Sequence, residues 1–195
     1  MRHAHARSNV TDLVSSSPPG EGLSELGVEE ALALREAIAY EPIELGIATR
    51  LVRTQETLDL ALGDRDVPRI VLPELDEIGF GSFEGGPLAD YRTWAWTTEP
   101  DVLGPGAGES RAHAAERIAG GLDALLAKPE EVVLAVTHAL PMRYVLDAAD
   151  GSFPAAKITP VPHATPFTLS AEAVERAAET LRVWATAPRF TDFPA

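Results

Sequence analysis

Two short apolar runs, each followed by a polar turn and a helical pattern, constrain the fold of this chain more than any other feature. The runs are IELGIAT at 43–49 and EVVLAVTHA at 131–139. Short runs of branched apolar residues are typical of buried strands. Strands that alternate with helices predict a parallel sheet with helices on both faces. We therefore expect an α/β fold, a three-layer α/β/α sandwich with a mostly parallel central sheet.

The other segments continue this alternation. Helical spacing follows Ser24 as N-cap and stops before Pro42, and a second helix over 110–127 begins at Ser110. Residues 68–75 predict another short strand. Near the end of the chain, the period-two pattern AETLRVWAT at 178–186 favours a last strand after a strand-like TPFTLS segment, although a helix over the same region stays open.

Residues 79–110 interrupt the pattern, because they are rich in glycine, proline and aromatic residues. We expect an irregular, cap-like insertion with one short helix. A length of 195 residues is typical of one domain, so we predict a single domain over 1–195 that carries this insertion.

The charge limits the classes of partner. A formal net charge of −14 repels nucleic acid and anionic membranes, and no run of 18 apolar residues is present to span a bilayer. The absence of cysteine excludes disulfides and thiolate metal sites, as expected of a cytoplasmic protein. An anionic substrate would need a local cluster of arginines in so acidic a chain.

An ordered series of motifs spans nearly the whole chain. Its members are MRHAHARSNV at 1–10, LSELG at 23–27, ATRLVRTQET at 48–57, LDEIGFGSFEG at 75–85, GES at 108–110 and VVLAVTHALPMR at 132–143. This series resembles the histidine phosphatase superfamily, in the branch that includes cofactor-dependent phosphoglycerate mutases and many small phosphatases. The resemblance implies a phosphoglycerate mutase-like fold and phosphoryl chemistry on a small phosphate ester, without a metal or a cofactor.

The resemblance also implies the roles of particular side chains. His3 would attack phosphorus as a neutral imidazole, which is available near pH 7 because the ordinary pKa is about 6.5. Glu77 would protonate the leaving oxygen and later deprotonate water, and His138 would be a further donor. Guanidinium groups match phosphate oxygens with paired donors. The expected phosphate-binding residues are Arg2, Asn9 and Arg53.

The insertion supplies candidates for the substrate pocket. Tyr91, Trp94 and Trp96 would favour an apolar or ring-like leaving group, or they would pack the insertion on the core. A phosphatase is favoured over a mutase, because Ile78 follows Glu77 where the mutases carry a basic residue.

Two departures from the family pattern stand out. Ala4 and His5 replace its glycine and glutamate, and only Met1 precedes Arg2 where the family has a strand of about five residues. We expect the first residues to be poorly held, and a strand to be encoded upstream of Met1.

Three other functions stay open at this stage. They are mutase-type phosphoryl transfer, a non-catalytic protein that binds a phosphorylated ligand or a partner protein, and a metal-dependent hydrolase with His3 and His5 as ligands. A metal-dependent hydrolase needs further ligands, but His113 lies in a helical stretch and His163 in a proline-rich loop. The oligomeric state is also open, with a homodimer as one option.

Overall fold

The centre of the computed structural model, which describes residues 1–190, is a parallel sheet with strand order β2-β1-β3. The strands are β1 (Leu45–Ala48), β2 (Arg69–Val71) and β3 (Val133–Ala135). Ile47 of β1 pairs in parallel register with Ile70 on one side and Ala135 on the other. The predicted parallel sheet is therefore confirmed, although each strand is shorter than its apolar run.

Helices cover both faces of this sheet. They are α1 (Arg7–Val10), α2 (Glu25–Ala37), α3 (Val52–Leu62), α4 (Leu88–Ala95), α5 (Arg111–Leu126), α6 (Ala139–Ala149) and α7 (Ala171–Thr186). Side chains alternate across a strand, so Leu45 and Ile47 join one core with α5, α6 and α7. Ala48 joins a second core with α2 and α3. The three-layer α/β/α sandwich follows from these two cores. Within residues 1–190, no helix is long and apolar enough to cross a bilayer.

Two of the predicted helix starts are confirmed by their caps. The Ser24 hydroxyl accepts a hydrogen bond from the Gly27 amide, and the Ser110 hydroxyl accepts one from the His113 amide. Gly27 has a second reason to be glycine, because a Cβ there would collide with the His5 carbonyl. The start of α2 therefore packs directly against the backbone that follows His3.

The predicted strand at 178–186 is wrong, since these residues lie in α7, which begins after the N-cap Ser170. Leu181 and Trp184 are buried three residues apart, whereas Val183 is 54% exposed. The buried positions thus follow the helical period, and the alternation at Leu181, Val183 and Ala185 does not correspond to a buried face. The strand-like segment before Ser170 forms no strand either.

Residues 79–110 contain a 3₁₀ turn at Gly81–Phe83 and the helix α4. Glycines and prolines surround these two elements, which explains why the segment reads as irregular. Tyr91 of α4 packs its ring edge-on to Phe80, with 4.6 Å between the ring centroids.

The expectation that the first residues are poorly held is wrong. Met1 is buried, and its amino group donates to the Ala135 carbonyl over 2.8 Å. The Thr137 amide donates to the Met1 carbonyl and the His3 amide donates to the Thr137 carbonyl, each over 2.9 Å. On the other side, the Ala164 amide donates to the Arg2 carbonyl. Residues 1–3 are thus held as an extended segment between residues 135–137 and the loop at 163–164.

Candidate active site

Polar side chains from three segments meet at the carboxyl edge of the sheet. His3 follows the extended segment at the start of the chain, Arg53 lies in the first turn of α3 after β1, and His138 caps α6 after β3. A cavity of about 360 Å³ opens here, and its walls include Arg2, His3 and Arg53. Ligands in open parallel sheets bind at this edge, so the cavity is the candidate active site.

Arg53 connects the two imidazoles. Its Nε donates to Nε2 of His3 and its Nη2 donates to Nδ1 of His138, each over 3.1 Å. Nη2 also donates to the Ser15 carbonyl over 2.8 Å. His138 is fully buried and does not line the cavity itself. Arg53 thus stands in front of His138 and beside His3.

The hydrogen bonds of His3 fix its tautomer. Nδ1 lies 2.7 Å from the Ala4 carbonyl, which can only accept, so Nδ1 carries the proton. Nε2 receives the bond from Arg53 and therefore holds a lone pair. The His3 carbonyl in turn accepts from Nδ1 of His163 over 2.9 Å. Both ring nitrogens are therefore held by hydrogen bonds, and the lone pair of Nε2 is directed at Arg53.

His138 has the opposite tautomer. Arg53 can only donate, so Nδ1 of His138 accepts and Nε2 carries the proton. Nε2 lies 2.9 Å from the Thr49 hydroxyl, which lies 3.0 Å from the Thr54 hydroxyl. A chain of buried hydroxyls behind the sheet edge thus fixes this second imidazole.

Burial and positive charge keep both imidazoles neutral. Burial lowers the pKa of His3 well below 6.5, and the charges of Arg53 and Arg2 lower it further. Burial followed by the charge of Arg53 lowers the pKa of His138 in the same way. Burial also lowers the pKa of Arg53 to about 10, so its guanidinium keeps its charge at neutral pH.

Glu77 lies in the wall of the same cavity. Burial raises the pKa of its carboxyl, against a hydrogen bond of 3.0 Å from the Ile78 amide and the charges of Arg53 and Arg2. The two neighbouring acids bind other groups. Asp76 forms an ion pair with Arg50, and Glu84 accepts hydrogen bonds from the backbone amides of Ser16 and Ser17.

The loop around Glu77 is held from behind by Arg117. This guanidinium donates to the carbonyls of Glu74 and Asp76, and it pairs with Glu109 over 2.7 Å. Glu109 also accepts from the Gly79 amide. The GES motif thus contributes to the position of Glu77.

Arg2 and Asn9 are the other predicted phosphate ligands, and both line the cavity. Nη1 of Arg2 donates to the Val161 carbonyl, whereas its buried Nε has no hydrogen-bond partner within residues 1–190. The Asn9 carbonyl oxygen accepts from the Ala6 amide over 2.9 Å, so only its amide nitrogen can serve a ligand. Both side chains therefore have a donor to offer.

The structure brings Tyr91 and Trp96 to the cavity, but not Trp94. The Trp94 ring packs against Phe83 and Tyr91, with centroids 5.6 and 5.9 Å away. The structure thus favours the alternative expectation for Trp94, that it packs the insertion, and the reason is geometric. Positions two apart on a helix point roughly 200° apart, so Trp94 and Trp96 cannot face the same way.

Ser15 and Arg111 are wall residues that the sequence prediction did not include. Ser15 lies in the SSSPPG loop, whose composition indicates a turn and nothing more. Arg111 directly follows the GES motif, and that position is the signal that could have indicated it.

His5, the second histidine of the His-x-His pair, is engaged with the start of α2. Its Nδ1 lies 2.8 Å from the Ser24 hydroxyl, and its amide donates to Glu30. In the part of the chain that the structure describes, no group of three or more His, Cys, Asp or Glu side chains is arranged to hold a metal ion.

Comparison with known proteins points in the same direction as the motifs. The family model described as the histidine phosphatase superfamily (branch 1) matches residues 1–186. The curated adenosylcobalamin/alpha-ribazole phosphatase of Salmonella typhimurium is 36% identical over 84 residues. That match spans 43% of this chain and 41% of the relative's length.

Two solved structures have a similar fold. The alpha-ribazole phosphatase from Shigella flexneri aligns with a TM-score of 0.69 at 26% identity, over 79% of each chain. A mycobacterial glucosyl-3-phosphoglycerate phosphatase in complex with VO3 aligns with a TM-score of 0.69 at 23% identity, over 84% of this chain and 85% of that one. The second likeness is evidence for the fold alone.

Proposed function

The chain belongs to branch 1 of the histidine phosphatase superfamily, and from this membership we propose that it is a metal-independent phosphatase that hydrolyses a small phosphate monoester through a phosphohistidine at His3. The relatives named above are phosphatases, at modest identity and over part of their length. The substrates that give these relatives their names are phosphorylated small metabolites, which supports the same class of substrate here.

The observation that carries the proposal is the tautomer of His3. A lone pair on Nε2, at the cavity wall and beside two arginines, is the nucleophile that in-line attack on phosphorus requires. An imidazole whose pKa is lowered by burial keeps that lone pair at neutral pH. Positioning and positive charge are what phosphoryl transfer needs most from a protein.

In the first step, Nε2 of His3 forms a bond to phosphorus as the bond from phosphorus to the ester oxygen breaks. The guanidinium groups of Arg2 and Arg53 bind the phosphoryl oxygens, and Asn9 donates from its amide nitrogen. Glu77 gives its proton to the departing oxygen, so the alcohol leaves neutral. The raised pKa of Glu77 favours the protonated form that this step uses.

In the second step, the carboxylate of Glu77 takes a proton from water. The resulting oxygen attacks phosphorus, the bond to Nε2 breaks, and inorganic phosphate leaves. Each residue returns to its starting protonation state. Arg53 exchanges its bonds to the two imidazoles for bonds to phosphoryl oxygens during this cycle. Nδ1 of His138, which accepts from Arg53 in the structure, would have to take up a proton before that ring could donate to the phosphoryl group.

Transfer to a second substrate, as in a mutase, has less support. Ile78 is buried directly after Glu77, so this position provides no cation for a substrate carboxylate. A non-catalytic binding protein would need the arginines but neither a fixed nucleophilic tautomer nor an acid beside it.

The proposal extends to the domain organisation. We infer one domain over 1–195 in which residues 79–110 cap the site. This segment contributes part of the apolar wall, which supports a capping role; its wall residues are Phe80, Leu88, Tyr91, Ala95 and Trp96.

The test is hydrolysis of p-nitrophenyl phosphate by the purified protein, with and without EDTA. We expect turnover that EDTA leaves unchanged and that His3→Asn abolishes. The control is Arg182→Gln, a surface residue that pairs with Asp123. Activity that EDTA removes and zinc restores would support the metal-dependent alternative instead.

A further inference from the structure

The same cavity contains a buried cation that the proposed reaction does not use. Arg111 is 5% exposed and lines the wall. Its Nε donates to the Tyr144 hydroxyl over 2.6 Å and its Nη2 donates to the Ala155 carbonyl over 3.1 Å. Its Cζ also lies 5.3 Å from the centroid of the Tyr144 ring. Every one of these partners is neutral.

No carboxylate of the described residues forms an ion pair with Arg111. A buried charge is costly unless it is paired, and neutral hydrogen bonds offset only part of that cost. The six ion pairs found within residues 1–190 involve other basic side chains. Among the residues that the structure describes, Arg111 is therefore a buried cation without an ionic partner.

A second group in the wall also lacks a partner for its proton. Tyr91 is 7% exposed, and its buried hydroxyl lies near Arg111, which can only donate to it, so among the described residues the O–H proton has no acceptor. Burial raises the pKa of this hydroxyl above its usual value despite the nearby charge of Arg111, so it stays protonated and can donate. A buried O–H without an acceptor points to an acceptor that arrives with a ligand.

The charge balance of the wall agrees with this. Of the described residues, four arginines line the cavity, namely Arg2, Arg53, Arg92 and Arg111, against one acid, Glu77. A phosphate group matches Arg2 and Arg53. The hydrogen bonds of Arg111 go to Tyr144 and Ala155, whereas those of Arg53 go to His3, His138 and Ser15, so the two cations are held by different elements of the fold.

We propose that Arg111 and Tyr91 form a second anion subsite, which takes a carboxylate on the alcohol part of the substrate. Two donors of Arg111 are already used, and the hydroxyl is neutral, so the pair suits a singly charged group better than a second phosphate. The wall also contains Leu140, Ala156, Ile158 and Val161, so the part that joins the two anionic groups is apolar. This inference rests on the proposed function, because it assumes that phosphate binds at His3.

The test compares three esters that share one leaving ring. They are phenyl phosphate, 4-carboxyphenyl phosphate and 4-carbamoylphenyl phosphate, with the 3-substituted isomers as a second spacing. The carbamoyl ester has the shape of the carboxylate without its charge. We expect kcat/KM for the carboxylate in the better isomer to exceed that for the amide by about tenfold or more, since bonds to charged groups are the stronger ones.

Variants then assign the preference to the subsite. Arg111→Gln and Tyr91→Phe should each lower the carboxylate-to-amide ratio of kcat/KM, which cancels differences between the leaving groups. Tyr91→Phe keeps the ring and removes only the hydroxyl, so the test stands even if Arg111→Gln fails to fold. The matched control is Arg143→Gln, which removes an arginine that pairs with Asp147 outside the cavity wall and should leave the ratio unchanged.

Two results would overturn the subsite. One is hydrolysis of phenyl phosphate without any preference for the carboxylate, which leaves the proposed function intact. The other is a preference that both variants retain. If no ester is hydrolysed, the proposed function fails, and calorimetric binding of the same esters decides about the subsite. Tighter binding of the carboxylate than of the amide would then support it, and equal binding would refute it.

Discussion

Replacing Glu77 with Gln isolates the proton that this residue is proposed to supply. The side chain keeps its size, and its amide oxygen can still accept the hydrogen bond from the Ile78 amide. The contacts by which Arg117 and Glu109 hold this loop should be unchanged, because the two side chains bind backbone groups of the loop and pair with one another. The substitution therefore removes a proton and little else.

The size of the effect depends on the leaving group. General acid catalysis contributes about 10²–10⁴ in rate, or about 3–5 kcal/mol of barrier. An alkyl phosphate needs the whole contribution, since its alkoxide is a poor leaving group. p-Nitrophenolate leaves without a proton, so formation of the phosphohistidine should be nearly as fast in Glu77→Gln as in the unmodified protein. Hydrolysis of that intermediate still needs a base and should become slow.

Rapid-quench kinetics measure both steps. With p-nitrophenyl phosphate, we expect Glu77→Gln to release one burst of p-nitrophenol per active site, followed by slow turnover. With an alkyl ester such as glycerol 2-phosphate, kcat/KM should fall by about 10²–10⁴. Asp76→Asn is the control for charge in the same loop. Equal losses with both esters and no burst would refute the role of Glu77 as the acid.

Three further predictions concern other parts of the site. Arg53→Lys can keep only one of the two hydrogen bonds to the imidazoles, so kcat/KM should fall about 10- to 100-fold. A value near that of the unmodified protein would show that Arg53 has no role in the reaction. Trp96→Ala should change KM among phosphate esters and Trp94→Ala should instead lower the melting temperature, whereas the reverse result would contradict the geometry of α4. His3 and His138 have a lowered pKa in the folded state, so their contribution to stability is complete above about pH 6.5 and is lost as the pH falls below that value. Chemical denaturation at a series of pH values below and above about 6.5 should therefore show a free energy of unfolding that falls toward acid. A flat or opposite profile would contradict the buried, neutral state of the two imidazoles.

The sheet could be predicted from the sequence because its signals are local. The runs at 43–49 and 131–139 are apolar and branched, and Ser24 and Ser110 are side chains that cap helices in almost any context. The strand prediction at 178–186 failed for a related reason. Three alternating residues fit period two by chance, whereas the buried positions of α7 follow a helical spacing over its whole length.

The arrangement of the site was predictable only in part. Parallel strands place their carboxyl ends together, so residues that follow β1 and β3 could be expected to meet, and Arg53 and His138 do. The tautomers could not be predicted, because they depend on the Ala4 carbonyl and the Thr49 hydroxyl, which tertiary structure brings to the rings.

The remaining differences also come from long-range contacts. The segment at 1–3 is held by bonds to residues 135–137, more than 130 positions away, so its local composition says nothing about its order. Arg111 reads as an ordinary charged residue at the start of a helix. The burial of Arg111 and the lack of an acceptor for the Tyr91 hydroxyl among the described residues arise only when α4, α5 and α6 pack together.

The most direct test of the central claim is to detect the phosphorylated protein. Glu77→Gln is mixed with p-nitrophenyl phosphate, denatured with alkali, digested and analysed by mass spectrometry. The account predicts one added phosphoryl group on the peptide that contains His3, stable to alkali and released by acid, and absent when His3 is replaced by Asn. A phosphoryl group on another residue, or turnover without any phosphorylated protein under conditions that show a burst, would contradict the account.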